Sequence, residues 1–113
     1  MDAQNEEITH YEGSVMIKVG DLVKRRAKVA YQEFQQVSVV CLVMGVDTAA
    51  DLVEVEHLFL EGDPQDIQVL VRLIAFSNGA PQTPSEGLLI SYLNSEVASK
   101  RIIHKSQITE VLS

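Results

Sequence analysis

The chain has 113 residues, of which 46% are hydrophobic, and its formal net charge at pH 7 is -7. This length is typical of one domain with a single hydrophobic core, so two independent domains are not expected. The mean hydropathy is slightly positive, at +0.08, although the chain carries 16 acidic and 9 basic side chains. This balance predicts that some apolar residues remain on the surface, where they favour self-association or binding to a protein partner.

The two ends of the chain differ in character. Residues 1–14 are polar and lack a sustained periodicity, so we interpret them as a flexible N-terminal arm that precedes one β-rich domain over 15–113. The first dozen residues contain acidic side chains and no Lys or Arg, which is opposite to a secretory signal. The longest apolar run, 37–46, is too short for a membrane helix. We therefore expect a cytoplasmic protein with no membrane association.

Three segments predict β-strands. Residues 15–24 alternate apolar and polar side chains up to a turn at Gly20 and Asp21, and 37–46 is dense in β-branched residues, as in a strand buried on both faces. Residues 52–60 place Glu54 and Glu56 in alternation with apolar residues. Residues 27–36 are ambiguous, and we interpret them as a loop or a hairpin arm.

The second half of the chain contains the predicted helix. Thr83 and Pro84 stand where an N-cap and a first helical residue belong, so we predict a helix over 84–99. For 64–76 the β-branched residues favour a strand, while Asp63 and Pro64 would also suit the start of a helix. Residues 101–113 predict two short strands around a turn at 105–107. The expected fold class is mainly β with one helix, either a small SH3-like barrel or an open antiparallel sheet; the alternative is α+β.

The residues that could carry chemistry do not form a recognisable catalytic or metal-binding motif. His10, His57 and His104 have no metal-ligand spacing, and Cys41 is the only cysteine, so we expect neither a metal nor a cofactor. We interpret Cys41 as a buried small hydrophobic residue and His57 as a core or rim histidine, because each lies among apolar neighbours. Without a phosphate loop or a nucleophile motif, an enzyme is not expected.

Basic residues cluster at two places and form the candidate partner-binding site. The first cluster has aromatic neighbours that could stack on bases, and the second lies near the end of the chain. The candidate residues are Lys24, Arg25, Arg26, Lys28, Tyr31, Phe34, Lys100, Arg101 and Lys105. Nucleic acid and an acidic protein would both suit these residues, but the overall negative charge favours an ordinary solvated surface that balances nearby carboxylates.

Residues 16–24 (MIKVGDLVK) and 103–113 (IHKSQITEVLS) resemble the two ends of small SH3-like barrel proteins, including many short phage-encoded ones. The resemblance implies a first strand that passes through a Gly-Asp turn, and a short helical turn before a last strand that returns beside the first. It also implies that the two basic clusters lie near each other on one face. It transfers no functional residue, because such barrels serve many unrelated functions.

From these observations we expect a non-enzymatic protein-binding or assembly module, an acidic and self-associating accessory protein of a phage or bacterium. The alternative is a nucleic-acid-binding regulator that uses the basic segments 24–28 and 100–105.

Overall fold

The computed structural model describes residues 16–29, 32–77, 79, 85–95 and 101–113. The predicted N-terminal arm over 1–14 lies outside these residues. In chain order, the elements are strands β1 (Leu22–Val29), β2 (Gln32–Asp47) and β3 (Leu52–Gly62), helices α1 (Pro64–Ser77) and α2 (Glu86–Leu93), strand β4 (Ile102–His104), the 3-10 turn η1 (Lys105–Gln107) and strand β5 (Ile108–Val111).

The five strands form one antiparallel sheet in the order β4-β3-β2-β1-β5, which curls into a half-barrel. Strands β1 to β3 follow one another as a meander, whereas β4 pairs with β3 at one edge and β5 pairs with β1 at the other. The segment from β4 through η1 to β5 therefore contacts both edges of the sheet. The mainly β prediction is confirmed, as are the two short strands around a turn at 105–107.

The ambiguous segment 27–36 is a hairpin, as one of the two interpretations predicted. Strand β1 pairs with β2 from Leu22 and Leu42 to Val29 and Gln32, with a register shift after Arg26. Strand β3 pairs with β2 only over 37–47. Residues 27–29 of β1 and 32–36 of β2 consequently extend past the end of β3.

The strand prediction for 64–76 is wrong, because these residues form helix α1. Asp63 begins the helix: its carboxylate accepts the N–H of Gln65 at 2.8 Å, and its carbonyl accepts the N–H of Ile67 at 2.9 Å. Leu70 and Ile74 are buried on one face, while Val69 is exposed, which is a helical and not an alternating pattern. The start signals at Asp63 and Pro64 therefore outweigh the β-branched composition.

Two further boundaries differ from prediction. Helix α2 spans Glu86–Leu93 and not 84–99, because Ser85 is its N-cap and accepts the N–H of Leu88 at 3.2 Å, while Asn94 is its C-cap. The predicted N-cap Thr83 lies outside the described residues. Among the described residues, 16–21 are not in a strand and the first strand begins at Leu22, after the predicted turn in which Gly20 adopts a φ of +96°; residue 15 lies outside the described residues.

The core lies between the inner face of the sheet and the two helices. The strands contribute mostly small β-branched residues and the helices contribute leucine and isoleucine. The main buried members are Val23, Val37, Val39, Cys41, Val43, Val53, Val55, Leu70, Ile74, Leu89, Leu93, Ile103 and Ile108. Over the described part of the chain, neither helix has the length and hydrophobicity needed to cross a bilayer.

Candidate functional site

The core contains a buried polar cluster formed by Arg25, His57 and Asn94. Arg25 is only 3% exposed and His57 only 2%, because both side chains lie on the inner face of the sheet. Arg25 Nε donates to His57 Nε2 at 3.3 Å, and His57 Nδ1 lies 3.0 Å from Asn94 Oδ1. Since Nε2 accepts, the neutral ring carries its proton on Nδ1 and donates it to Asn94.

Helix α2 completes the edge of β3 at this cluster. Strand β4 pairs with β3 only over 52–54. Further along β3, side chains of α2 and of its C-cap form hydrogen bonds with the backbone of the strand. The backbone N–H of His57 donates to Asn94 Oδ1 at 3.1 Å, and Asn94 Nδ2 donates to the His57 carbonyl at 3.4 Å. The Glu86 carboxylate accepts the N–H of Leu60 at 2.6 Å. Asn94 and Glu86 thus replace the missing part of an edge strand.

The electrostatics of the cluster keep His57 neutral. Burial and, to a smaller extent, the nearby charge of Arg25 together lower the pKa of His57 to about 4. Burial also raises the pKa of the Cys41 thiol to about 11. Burial lowers the pKa of Arg25, which remains a cation because arginine is not deprotonated in proteins. Arg25 and His57 are almost completely buried and hydrogen-bonded to each other, so the arrangement suits a structural role.

The predicted basic site is only partly a surface feature. Lys24 forms ion pairs with Glu61 and Glu110, and the hydrogen bond to Glu61 raises the pKa of Lys24. Arg26 is paired with Glu33 at 3.4 Å. Arg25 belongs to the buried cluster, so its assignment as a surface contact does not fit the structure.

The remaining predicted site residues are divided between the paired strands β1 and β2, which hold Lys28 and Phe34, and the segment around β4 and η1, which holds Arg101 and Lys105. Lys28 and Arg101 are exposed, Lys105 is half-buried in η1, and Phe34 is half-buried and packs against the core. Tyr31 and Lys100 lie outside the described residues. The strand parity of Arg25 with Val23 and Ala27, both buried, is the signal in the sequence that could have identified Arg25 as an inward residue.

The first basic segment lines one polar cleft of about 310 Å³, and no described residue of the second segment, 100–105, lines it. The residues that line it come from β1, β2, η1 and β5: Arg25, Arg26, Lys28, Glu33, Ser106, Gln107 and Thr109. Lys105 faces elsewhere and lines a smaller depression together with Asp47 and Asp51. The cleft therefore does not bring Arg101 or Lys105 to the first basic segment; it joins that segment to the neutral residues Ser106, Gln107 and Thr109.

A second surface feature is apolar. Met16, Val46, Leu52 and Ile102 line two adjoining depressions that share Val46 and Leu52, and we call these four residues the apolar surface. Met16 is 85% exposed and Ile102 is 55% exposed. Carboxylates surround it, since Asp47, Asp51 and Glu54 line the same depressions. The charged rim around an apolar centre is typical of a protein-binding surface.

The fold and these sites define a mainly β protein with one curled antiparallel sheet, two helices and a buried polar cluster. Within the described ranges, no group of three or more His, Cys, Asp or Glu side chains has a metal-binding arrangement. Comparisons of the chain with protein-family models, with curated proteins and with solved structures give no significant match.

Proposed function

We propose that this chain is a non-enzymatic protein-binding or assembly module whose contact surface is the apolar surface of Met16, Val46, Leu52 and Ile102. The exposure of Ile102 and Val46 in one depression carries the proposal, because two aliphatic side chains gain free energy when a partner removes them from water. The positive mean hydropathy of the whole chain supports the same conclusion.

The charges around the apolar surface define the partner further. Asp47, Asp51 and Glu54 surround it, and Lys105 is the basic residue that lines the same depressions. A partner segment with an aliphatic centre and flanking Lys or Arg residues complements this pattern, because opposite charges at the rim orient the encounter and exclude acidic competitors. An accessory protein of a phage or bacterium with the overall plan of an SH3-like barrel would fit this role.

The nucleic-acid alternative has weaker support. Lys24 already has two carboxylate partners and Arg25 is buried, so two of the predicted phosphate contacts are not available on the surface. A chain of net charge -7 also repels a polyanion except at a locally basic site.

The experiment compares Ile102→Glu with Phe76→Glu as a matched control. Phe76 is also strongly exposed, but it lies on α1 and does not line the apolar surface. We expect light scattering to show concentration-dependent association of the wild type, or affinity capture from the source cells to retain a defined protein. Ile102→Glu should abolish the interaction and Phe76→Glu should preserve it. A monomeric wild type whose captured proteins are the same with both variants would contradict the proposal.

A further inference from the structure

The polar cleft between the β1–β2 hairpin and turn η1 is independent of the apolar surface, with which it shares no lining residue. Its walls come from segments far apart in sequence: Arg26 and Lys28 from β1, and Ser106 and Gln107 from η1. The pairing of β1 with β5, which aligns Arg25 with Ile108, holds the two walls together. The cleft is thus a product of the tertiary fold.

The charge inside the cleft is opposite to that of the whole chain. Two cationic residues at the surface, Arg26 and Lys28, line it together with a single carboxylate, Glu33, and with the buried Arg25. The chain as a whole carries a net charge of -7, so the cleft is a local concentration of positive charge. Such a concentration attracts small anions from solution and orients them.

The cations differ in how firmly they are held. Arg25 is buried and donates to His57, so its guanidinium is held in the core cluster and offers no surface contact to an anion. Arg26 and Glu33 form a partly exposed pair at 3.4 Å, and a pair of this kind contributes little free energy. Arg26 can therefore exchange its contact with Glu33 for a contact with an anion at small cost.

Turn η1 provides neutral hydrogen-bonding groups. Gln107 Oε1 accepts the N–H of His104 at 2.9 Å, which fixes the amide group and leaves its NH₂ as a donor. Thr109 Oγ1 donates to the Lys24 carbonyl at 3.2 Å and retains the capacity to accept. A hydrogen phosphate group has both acceptor oxygens and one O–H donor, so it matches this mixture of cations, amide and hydroxyl.

We propose that the cleft bounded by Arg26, Lys28 and Gln107 binds the phosphate group of a small phosphomonoester. The volume of about 310 Å³ is at the lower end for small-molecule sites, so it suits a phosphate with a short organic group. The same phosphate chemistry is present in a nucleic-acid backbone, and the experiment separates these two sources.

The test is a titration of the full chain, followed by amide chemical shifts, with three probes at constant ionic strength. These are inorganic phosphate, glycerol 3-phosphate and a single-stranded oligothymidylate. We expect the two small probes to saturate and to shift the amides of Lys28, Ser106, Gln107 and Thr109. The oligonucleotide should bind no more tightly than glycerol 3-phosphate. Shifts that are absent from these amides, or a response to the oligonucleotide alone, would overturn the proposal.

Two charge variants make the assignment specific. Lys28→Gln should weaken binding of glycerol 3-phosphate about tenfold, which is the size expected for the loss of one charge-assisted contact. Arg72→Gln is the control, because it removes the same charge from an exposed position on α1 and leaves the cleft intact. An equal loss in both variants would show that only the net charge matters, and the proposed site would be wrong.

Discussion

Asn94 binds both backbone groups of His57 and its ring at once. The N–H of His57 and its Nδ1 both contact Asn94 Oδ1, at 3.1 and 3.0 Å, while the Asn94 amide NH₂ donates to the His57 carbonyl. One side chain at the end of α2 therefore replaces a strand residue and also fixes the tautomer of the buried histidine. Because His57 in turn accepts from Arg25, Asn94 determines the geometry of the whole cluster.

Replacing Asn94 with alanine should destabilise the protein by about 2 to 4 kcal/mol, since it leaves buried polar groups of His57 without their partner. Denaturant unfolding followed by circular dichroism measures the change. Gln68→Ala is the control, because Gln68 is an exposed residue of α1, and it should change the free energy of unfolding by less than about 0.5 kcal/mol. Equal effects of the two variants would show that the contacts to Asn94 add nothing to stability.

The buried His57 should make stability depend on pH. Its pKa of about 4 lies below the usual value of 6.5, so the unfolded chain binds a proton that the folded chain excludes. The contribution of the neutral His57 to the free energy of unfolding is fully present above pH 6.5. As the pH falls from 6.5 towards 4, the free energy of unfolding decreases by up to about 3 kcal/mol. Denaturant unfolding of the wild type and His57→Gln at pH 7 and 4.5 isolates this contribution. The His57→Gln variant should lack this part of the loss of stability between pH 7 and pH 4.5.

A second measurement of the same residue does not depend on a stable variant. Imidazole nitrogen shifts of the wild type should show a neutral His57 ring with its proton on Nδ1 down to about pH 5. A ring that titrates near pH 6.5 would contradict the buried geometry.

Cys41 should be unreactive in the folded protein. Burial both hides its sulfur and raises the pKa of the thiol to about 11, so almost no thiolate exists at pH 8. A disulfide reagent such as Ellman's reagent should modify Cys41 rapidly in concentrated guanidinium chloride and at least about a hundredfold more slowly without it. Rapid labelling of the native chain would show that the sheet opens at β2.

Gly62 and Gly87 should respond to alanine in opposite directions. A Cβ on Gly62 would collide with the carbonyl oxygen of Gln36, so Gly62→Ala should cost about 1 to 3 kcal/mol. Gly87 lies in α2, where the nearest atom to an added Cβ is Ser85 Oγ at 3.8 Å, and alanine there should stabilise the protein by up to about 1 kcal/mol. Melting temperatures of both variants test the pair, and a stabilised Gly62→Ala would refute the close approach.

The sequence predicted the sheet best where local signals and tertiary environment agree. Residues 52–60 alternate because one face of β3 is buried and the other carries Glu54 and Glu56 in solvent, so a simple pattern reports the structure. In α1 the local composition and the tertiary environment favour different structures. Val69 and Val71 have strand-forming side chains, but Leu70 and Ile74 pack into the core only from a helix, and Asp63 starts that helix.

The candidate sites were harder to predict for a similar reason. A run of Lys24, Arg25 and Arg26 suggests one basic surface, yet a strand sends alternate residues to opposite faces, and Arg25 enters the core. The cluster with Asn94 also depends on the placement of α2 beside β3, a contact between distant segments that no local pattern encodes. The apolar surplus, in contrast, was visible in composition, although its location was not.

The pairing of β5 with β1 has a kinetic consequence. Thr109 donates to the carbonyl of Lys24 across 85 positions of the chain, so this contact forms only after a long loop has closed. The β1–β2–β3 meander needs short turns alone and can form early, whereas the last strand must wait for the intervening helices to dock. We therefore expect a single slow folding phase of milliseconds to seconds, limited by recruitment of the C-terminal strands, as in other sheets dominated by distant contacts.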